Sequence, residues 1–327
     1  MERNQDTGNG KADSMSPLVV FVVVTYNASR WIRKCLSSAQ NQSGVTTAII
    51  VIDNRSDDDT SDIVRTEFPE ARLTINKENK GFGQANNQGI SLAIQMGADY
   101  VFLLNQDAWI DQHCSRILAA AGRTAKSPGV LSPMHMEYEG SRPHSCMATY
   151  LQRNPSDIPA GEVINIPFVP AALWMIPALV MRRAGGFDPV YFMYGEDDDL
   201  AKRIRGDGGE VLVVADARGY HAEKQGSPPL RRLAAKHYSE SCALLRFSGH
   251  PVIRRYGGWF VQELRSLLNS LARLRFRQFV ARVMALAWVI RNVSTIESSK
   301  RTLANSPGPF LSIRKNPSDY KNVTAAS

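Results

Sequence analysis

Polar residues follow three apolar runs of the sequence, and several of them are of types that bind nucleotides or metal ions. The runs Leu18–Thr25, 47–52 and Tyr100–Leu104 are rich in Val, Ile and Leu, which predicts strands covered on both faces of a parallel sheet. The residues at their carboxyl ends are Thr25, Tyr26 and Asn27, then Asp53 and Asn54, and then Asn105, Gln106 and Asp107. Because ligands bind beyond the carboxyl ends of such strands, we expect these side chains to line one crevice.

Two of these residues carry carboxylates that a buried strand would hold rigidly. Asp53 could accept hydrogen bonds from a base N–H or a ribose hydroxyl. Asp107 could hold a divalent cation, since hard cations take oxygen ligands, and Mg²⁺ or Mn²⁺ there would bridge a diphosphate. Either residue alone could instead cap a helix or form a turn.

A glycine-rich segment, residues 79–89, nearly matches a dinucleotide-binding fingerprint. Gly81 and Gly83 are present, but the third glycine is missing, and such a fingerprint normally follows a long first strand. We therefore disfavour dinucleotide binding. A glycine-rich turn that enters a helix still places backbone N–H groups near an anion.

Four consecutive acidic residues, 196–199, begin a predicted helix at 196–206. The helix dipole favours negative charge at this end. Like charges this close also raise one another's pKa, which is unfavourable unless the arrangement is used. The run therefore favours a functional carboxylate that acts as general base towards an acceptor hydroxyl.

His221 follows a predicted strand at 211–215. No cysteine or second histidine lies near it at zinc-like spacing, so its spacing alone is typical of a structural histidine. The sequence also contains no P-loop and no Gly-x-Ser-x-Gly elbow.

The order of the elements predicts an α/β fold. Helices at 31–39, 60–68 and 84–96 and a short strand at 73–76 alternate with the three apolar runs, which predicts a mainly parallel central sheet with helices on both faces. After about residue 125, frequent prolines indicate a mixed sheet with long loops.

Charge is unevenly distributed along the 327 residues. The formal net charge is +8, but residues 228–327 hold 17 Lys and Arg against 4 Asp and Glu. We divide the chain into a flexible leader at 1–16, a catalytic domain at 17–249, a basic helical extension at 250–305 and a flexible tail at 306–327. The four cysteines fit no disulfide framework and the leader is polar, which predicts a cytoplasmic protein. No apolar stretch is long enough for a spanning helix, so we expect that the protein does not span a membrane.

Six motifs follow one another along the chain: VVTYN (23–27), VIDNRSDDDT (51–60), NKGFGQANNQGI (79–90), LLNQD (103–107), GGFDPVYFMYGEDDDLAKRI (185–204) and YHAEKQGS (220–227). In this order they resemble the motifs of family 2 glycosyltransferases, and within that family the chain is similar to bacterial rhamnosyltransferases. The resemblance covers about residues 17–249.

The resemblance implies a GT-A fold and inverting transfer from a nucleotide-sugar. It implies that Asp197 is the base that deprotonates the acceptor, and that Asp107 and His221 bind the metal ion or the diphosphate. The residues that it places around the nucleotide-sugar are Thr25, Tyr26, Asn27, Asp53, Asn54, Asn79, Asn86, Asn105 and Asp107. The family's metal motif often has two or three acids, whereas here it reads Asn105-Gln106-Asp107 and Asn105 carries no charge, which puts strict dependence on a divalent cation in doubt.

The basic extension predicts two amphipathic helices. In the first, apolar residues recur at helical spacing (Phe260, Leu264, Leu267, Leu268, Leu271 and Leu274). The pattern continues in shifted phase from Phe276 to Ile290. Two interpretations remain open: a helical cap packed on the catalytic domain, or an element that lies on anionic lipid. Nucleic-acid binding is disfavoured because no base-stacking aromatics alternate with the charges.

The sequence therefore predicts a glycosyltransferase that moves a sugar such as rhamnose from a dTDP- or UDP-sugar to a glycan or lipid-linked acceptor of the bacterial surface. It would work at the inner face of the cytoplasmic membrane with a divalent cation. The alternative is a non-catalytic peripheral membrane or polyanion-binding protein that retains the fold.

Overall fold

One nine-stranded sheet organises the chain. The computed structural model describes residues 16–138, 140, 142–222, 229–305 and 310–311. The strands are β1 (Leu18–Thr25), β2 (Thr46–Asp53), β3 (Arg72–Ile75), β4 (Tyr100–Leu104), β5 (Ala108–Ile110), β6 (Pro128–Met136), β7 (Val163–Asn165), β8 (Leu173–Pro177) and β9 (Glu210–His221). The helices are α1 (Ile32–Gln40), α2 (Thr60–Glu67), α3 (Phe82–Gln95), α4 (Cys114–Thr124), α5 (Cys146–Leu151), α6 (Ala178–Ala184), α7 (Glu196–Gly206), α8 (Leu230–Phe247), α9 (Val252–Ala272), α10 (Phe276–Arg291) and α11 (Val293–Asn305).

The strand order is β3-β2-β1-β4-β8-β6-β9-β5, with β7 paired to β9. The first four strands are parallel, as predicted for the alternating half of the chain. In the second half β8 runs antiparallel to both β4 and β6, whereas β6 and β9 are parallel. The sheet is therefore parallel on one side and mixed on the other.

Helices cover both faces of the sheet because successive strand residues point to opposite faces. On one face Val20, Val22 and Ile50 pack with residues of α3, α6 and α7. On the other face Val19 and Phe21 pack with residues of α1, α2 and α4. The Val- and Ile-rich run of β1 is thus buried on both sides, and burial of each such side chain stabilises the fold by about 1.5–3 kcal/mol.

The helices after β9 pack on the segment that precedes α7 and on each other. Val190 and Tyr191, which precede α7, share a buried cluster with residues of α8, α10 and α11. Arg246 of α8 lies 2.6 Å from Asp188, and Ser299 of α11 donates a hydrogen bond to the same carboxylate. Part of the basic extension is therefore a helical cap, one of the two interpretations that the sequence left open.

Within the described part of the chain, no single helix is long and apolar enough to cross a membrane. Helices α10 and α11 meet the criteria of length and composition only together, and they are bent by 64° at their junction. The predicted leader and tail lie outside the described residues, apart from Ser16, Phe310 and Leu311. The N–H of Phe310 donates to the carbonyl of Gly185 at 3.2 Å.

Candidate active site

A cavity of about 660 Å³ opens beyond the carboxyl ends of β1 and β4, where the sequence predicted a crevice. The first turns of α7 and α8 close its other sides. Eight of the eleven predicted site residues line it: Thr25, Tyr26, Asn54, Asn79, Asn105, Asp107, Asp197 and His221. Asn27, Asp53 and Asn86 lie outside this lining.

Asp53 supports the cavity from below. Its carboxylate is fully buried and accepts hydrogen bonds from the Thr25 hydroxyl at 2.7 Å and from the Ser56 N–H at 2.8 Å. Asn27 connects the loops after β1 and β2, since its side-chain oxygen accepts from the Asp57 N–H at 2.9 Å. Its backbone has a φ of 52°, a left-handed conformation that Asn tolerates better than most residues.

Amide side chains hold the glycine-rich turn before α3. Asn54 donates to the carbonyl of Gly81 at 3.1 Å, and Asn79 accepts from the N–H of Gly81 at 2.9 Å. Gly81 has a φ of 80°, and a Cβ there would lie 2.3 Å from the carbonyl oxygen of Phe192, so only glycine fits. Asn86, one turn into α3, donates to the Phe82 carbonyl within the helix.

Asp107 and His221 lie side by side because β5 pairs with the end of β9, with Ala108 opposite His221. Oδ1 of Asp107 is 3.2 Å from Nε2 of His221, and the amide nitrogen of Asn105 is 3.4 Å from the same ring nitrogen. The spacing of His221 in the sequence is typical of a structural histidine. In the structure His221 instead lines the cavity beside the Asp107 carboxylate. The last five residues of its motif, 223–227, lie outside the described residues.

This pair could supply two protein ligands to a divalent cation. The Asp107 carboxylate is of the type that Mg²⁺ prefers, and phosphate oxygens and water would fill the remaining coordination positions. Within the described ranges, no three His, Cys, Asp or Glu side chains lie close enough together to form a metal site of protein ligands alone. Any cation here would therefore rely on the substrate for several of its ligands.

The four acids at the start of α7 separate into two groups. Asp198 forms an exposed ion pair with Lys202 at 2.6 Å, whereas Asp199 is buried between Arg203 and Arg246. Only Glu196 and Asp197 line the cavity. Of the four carboxylates, only Glu196 and Asp197 therefore remain candidates for the general base.

Hydrogen bonds distinguish the two carboxylates that line the cavity. Asp197 accepts from the N–H of Ala171 at 3.3 Å and from the N–H of Asp198 at 2.9 Å. Burial raises its pKa, and these donors oppose that rise. Glu196 has a buried carboxylate oxygen with no hydrogen-bond partner, and burial together with the Asp197 charge raises its pKa to about 8. The two backbone donors thus favour the ionised form of Asp197, which is the form that can accept a proton, whereas that oxygen of Glu196 has no donor.

Two basic side chains of the cavity lining were not predicted from the sequence. Arg232, in the first turn of α8, is the only Lys or Arg among the described lining residues, and its guanidinium lies 5.0 Å from the ring centre of Tyr194. His144 also lines the cavity. Neither has a sequence signal, since Arg232 is one of many basic residues in its segment and His144 lies in a proline-rich loop.

A half-parallel α/β sheet whose strand ends present carboxylates, amides and a histidine to one cavity is a fold of the GT-A kind. Residues 20–163 match Glycosyl transferase family 2. The chain therefore carries a family 2 domain and is a glycosyltransferase, which confirms the resemblance seen in the sequence.

Two relatives show how far the similarity extends. The chain is 27% identical over 292 residues to an N-acetylglucosaminyl-diphospho-decaprenol L-rhamnosyltransferase of Mycobacterium tuberculosis, covering 80% of this chain and 92% of the relative. It is 28% identical over 134 residues to the glycosyltransferase SunS of Bacillus subtilis, covering 40% of this chain and 30% of the relative.

Solved structures share the fold at low sequence identity. The structure of GalNAc-T7 with UDP, GalNAc and Mn²⁺ has a TM-score of 0.52 at 14% identity, over 76% of this chain and 54% of that chain. The structure of S. aureus TarS has the same TM-score and identity over 72% of this chain and 41% of that chain. The chain thus spans about half the length of these two proteins, and the likeness concerns the fold alone. The comparisons do not favour the non-catalytic alternative.

Proposed function

We propose that the protein transfers a sugar, rhamnose in the first instance, with inversion from a dTDP- or UDP-sugar to a hydroxyl of a lipid-linked glycan. The observation that carries this proposal is the single cavity that Asp197 shares with Asp107 and His221. It combines a carboxylate suited to accept a proton with a pair of groups suited to bind a diphosphate through a cation.

The transfer is a single displacement at the anomeric carbon of the donor sugar. The acceptor oxygen forms the new bond to that carbon while its proton passes to the Asp197 carboxylate. The bond from the anomeric carbon to the diphosphate breaks, and its electron pair stays on the diphosphate oxygen. Attack from the face opposite the leaving group inverts the anomeric configuration.

Arg232 gives the cavity the positive charge that the leaving group needs. The described lining holds the carboxylates of Asp107 and Asp197, which would repel a diphosphate. The guanidinium of Arg232 can donate paired hydrogen bonds to phosphate oxygens. A divalent cation held by Asp107 and His221 would offset further negative charge on the diphosphate.

The choice of donor and acceptor rests on the relatives. The mycobacterial relative is named for transfer of L-rhamnose to a decaprenol-linked sugar, and it aligns with most of this chain. GalNAc-T7 was crystallised with UDP and Mn²⁺. A nucleotide-sugar donor together with a lipid-linked acceptor would place the enzyme at the cytoplasmic face of the membrane, without a role for nucleic acid.

A donor panel tests the proposal. We expect dTDP-rhamnose or a UDP-sugar at about one hundred times its Kd to stabilise the fold by about 2.7 kcal/mol in a thermal shift assay with Mn²⁺. The same sugar should then appear on a polyprenyl diphosphate-linked acceptor, with inverted configuration by NMR. No binding across dTDP-, UDP- and GDP-sugars, or retention of configuration, would contradict the proposal.

A further inference from the structure

Helix α9 turns its apolar stripe towards solvent. Ile253, Phe260, Leu264, Leu268 and Leu271 recur at intervals of three, four or seven residues and so share one face of the helix. All five are exposed, Ile253 by 89% and Leu268 by 62%. An amphipathic helix that serves as a cap buries this face instead.

Helix α10, which forms a hairpin with α9, also exposes an apolar stripe to solvent. Phe276, Val280, Val283 and Ile290 lie on its outer face, and Phe276 is 64% exposed. The inner face of α10 carries smaller buried residues, Ala281, Ala285 and Val289. The hairpin thus exposes larger apolar side chains than it buries along this helix.

The packed side of α9 is aromatic and polar. Trp259 and Ser270 are buried there, Arg255 is paired with Glu297 of α11, and Glu263 lies 3.0 Å from Arg282 of α10. These contacts already fix the helix to its neighbours without the apolar stripe. We call the nine exposed apolar residues named above for α9 and α10 the outer face of the hairpin, and a patch of this kind marks an interaction site.

Charge identifies the occupant of this outer face. Between Val252 and Arg291 the sequence has eight arginines and one acidic residue, Glu263, which the Arg282 pair partly neutralises. Arg254, Arg265 and Arg273 are exposed on α9 or just beyond it. A second copy of the chain would bring a second set of arginines to the contact, and the two sets would repel. An anionic bilayer supplies apolar depth and opposite charge at once.

We propose that the outer face of the α9–α10 hairpin docks this enzyme on an anionic bilayer. The apolar stripes enter the boundary between headgroups and acyl chains, and the flanking arginines pair with lipid phosphates. The hairpin lies along the surface and does not cross the bilayer. This contact goes beyond the proposed transfer reaction and does not depend on it, but it would bring the cavity to the membrane that holds a lipid-linked acceptor.

Vesicle binding by the full chain tests the apolar part of the contact. We expect binding to vesicles of phosphatidylcholine with phosphatidylglycerol, and a loss of at least about tenfold in Leu264→Glu/Leu268→Glu, since two charged side chains would enter the interface. The matched control is Met96→Glu/Leu179→Glu, which places the same charges on exposed apolar positions elsewhere. The control should bind as wild type does.

A second pair of variants tests the charge. Arg265→Glu/Arg273→Glu should weaken binding at least about tenfold, because each basic residue near the surface adds about 1 kcal/mol of attraction. Arg72→Glu/Arg183→Glu changes the net charge equally on exposed positions outside the hairpin and should have a smaller effect. Raising salt from about 0.05 to about 0.5 M should weaken wild-type binding as well.

Three outcomes would overturn the proposal. They are equal binding of wild type to neutral and anionic vesicles, equal losses in the hairpin variants and their controls, and a wild-type dimer in light scattering that Leu264→Glu/Leu268→Glu converts to a monomer while vesicles are not bound. Circular dichroism should show the same fold in all variants, since the substituted residues are exposed. Failure to bind any nucleotide-sugar would overturn the transfer reaction but leave this contact standing.

Discussion

The carboxylate of Asp199 and the guanidinium of Arg246 form a buried ion pair, with Oδ1 2.5 Å from Nη1. Both side chains are almost completely buried, and Arg246 also lies 2.6 Å from Asp188. Arg246 belongs to α8 and Asp199 to α7, so this pair fixes the helical cap to the helix that carries Asp197. Asp199, two residues after Asp197 on α7, therefore has a structural role.

Replacing Arg246 with Met should destabilise the fold by about 3–5 kcal/mol, because the buried Asp188 carboxylate would lose its counter-charge and that of Asp199 would keep only Arg203. Urea unfolding followed by circular dichroism measures the change. The control is Lys202→Met, which breaks the exposed pair with Asp198 and should cost less than about 1 kcal/mol. Similar losses in the two variants would mean that the Arg246 pairs do not secure the cap.

Arg232→Gln should weaken binding of a nucleoside diphosphate by at least about tenfold, because a charged hydrogen bond contributes about 1.5–3 kcal/mol. Binding of the nucleoside without phosphates should change little. Calorimetry with UDP or dTDP and the matching nucleoside measures both affinities. Arg231→Gln, an exposed neighbour on α8, is the control. Equal losses for nucleoside and diphosphate would show that Arg232 does not act on the phosphates.

Asp107→Asn should lower the affinity for a nucleoside diphosphate at least about tenfold when Mn²⁺ is present, since the carboxylate is the charged protein ligand proposed for the cation. With EDTA the variant and wild type should differ much less. Calorimetry with and without Mn²⁺ makes this comparison. The same loss under both conditions would indicate a role for Asp107 other than cation binding.

Stability should depend on pH through Glu196. Its folded pKa is raised to about 8, so between the ordinary carboxyl pKa and about 8 the folded state binds the proton that the unfolded state has lost. Stability from this group is therefore complete at acid pH and falls as pH rises towards 8. Glu196→Gln, which stays neutral, should gain about 2 °C or more in Tm over wild type between pH 5 and pH 8.

The control for this pH series is Glu70→Gln, on an exposed loop. Its Tm should follow that of wild type across the series. Parallel curves for wild type and Glu196→Gln would mean that Glu196 is ionised in the folded protein throughout, contrary to its buried and unpartnered oxygen.

Local patterns predicted the parallel half of the sheet well. The predicted strand Leu18–Thr25 has the same first and last residues as β1. The bounds agree because a strand buried on both faces needs an unbroken apolar sequence. The prediction for β9 stopped at Ala215, whereas the strand continues to His221. Its last part carries Asp216 and Arg218 and is held by pairing with β5 and β6, which no local pattern reveals.

The part of the candidate site that lies at the ends of strands could be predicted from the sequence. Strand ends must meet at one sheet edge, which is why Thr25 and Asp107 lie at one cavity. The separate roles of the acids 196–199 depend on Arg246, far along the chain, and could not be read locally. Helical periodicity likewise predicted α9 but not which face packs, since that depends on partners such as Glu297.

The most direct test of the account is the turnover of Asp197→Asn beside that of Asp198→Asn. The two positions adjoin on α7, but only Asp197 lines the cavity, and Asp198 pairs with Lys202 at the surface. We predict that Asp197→Asn lowers kcat for sugar transfer by about 10²–10⁴-fold, with donor affinity within a few fold of wild type, while Asp198→Asn keeps wild-type kcat. An unchanged kcat in Asp197→Asn would contradict its assignment as the base.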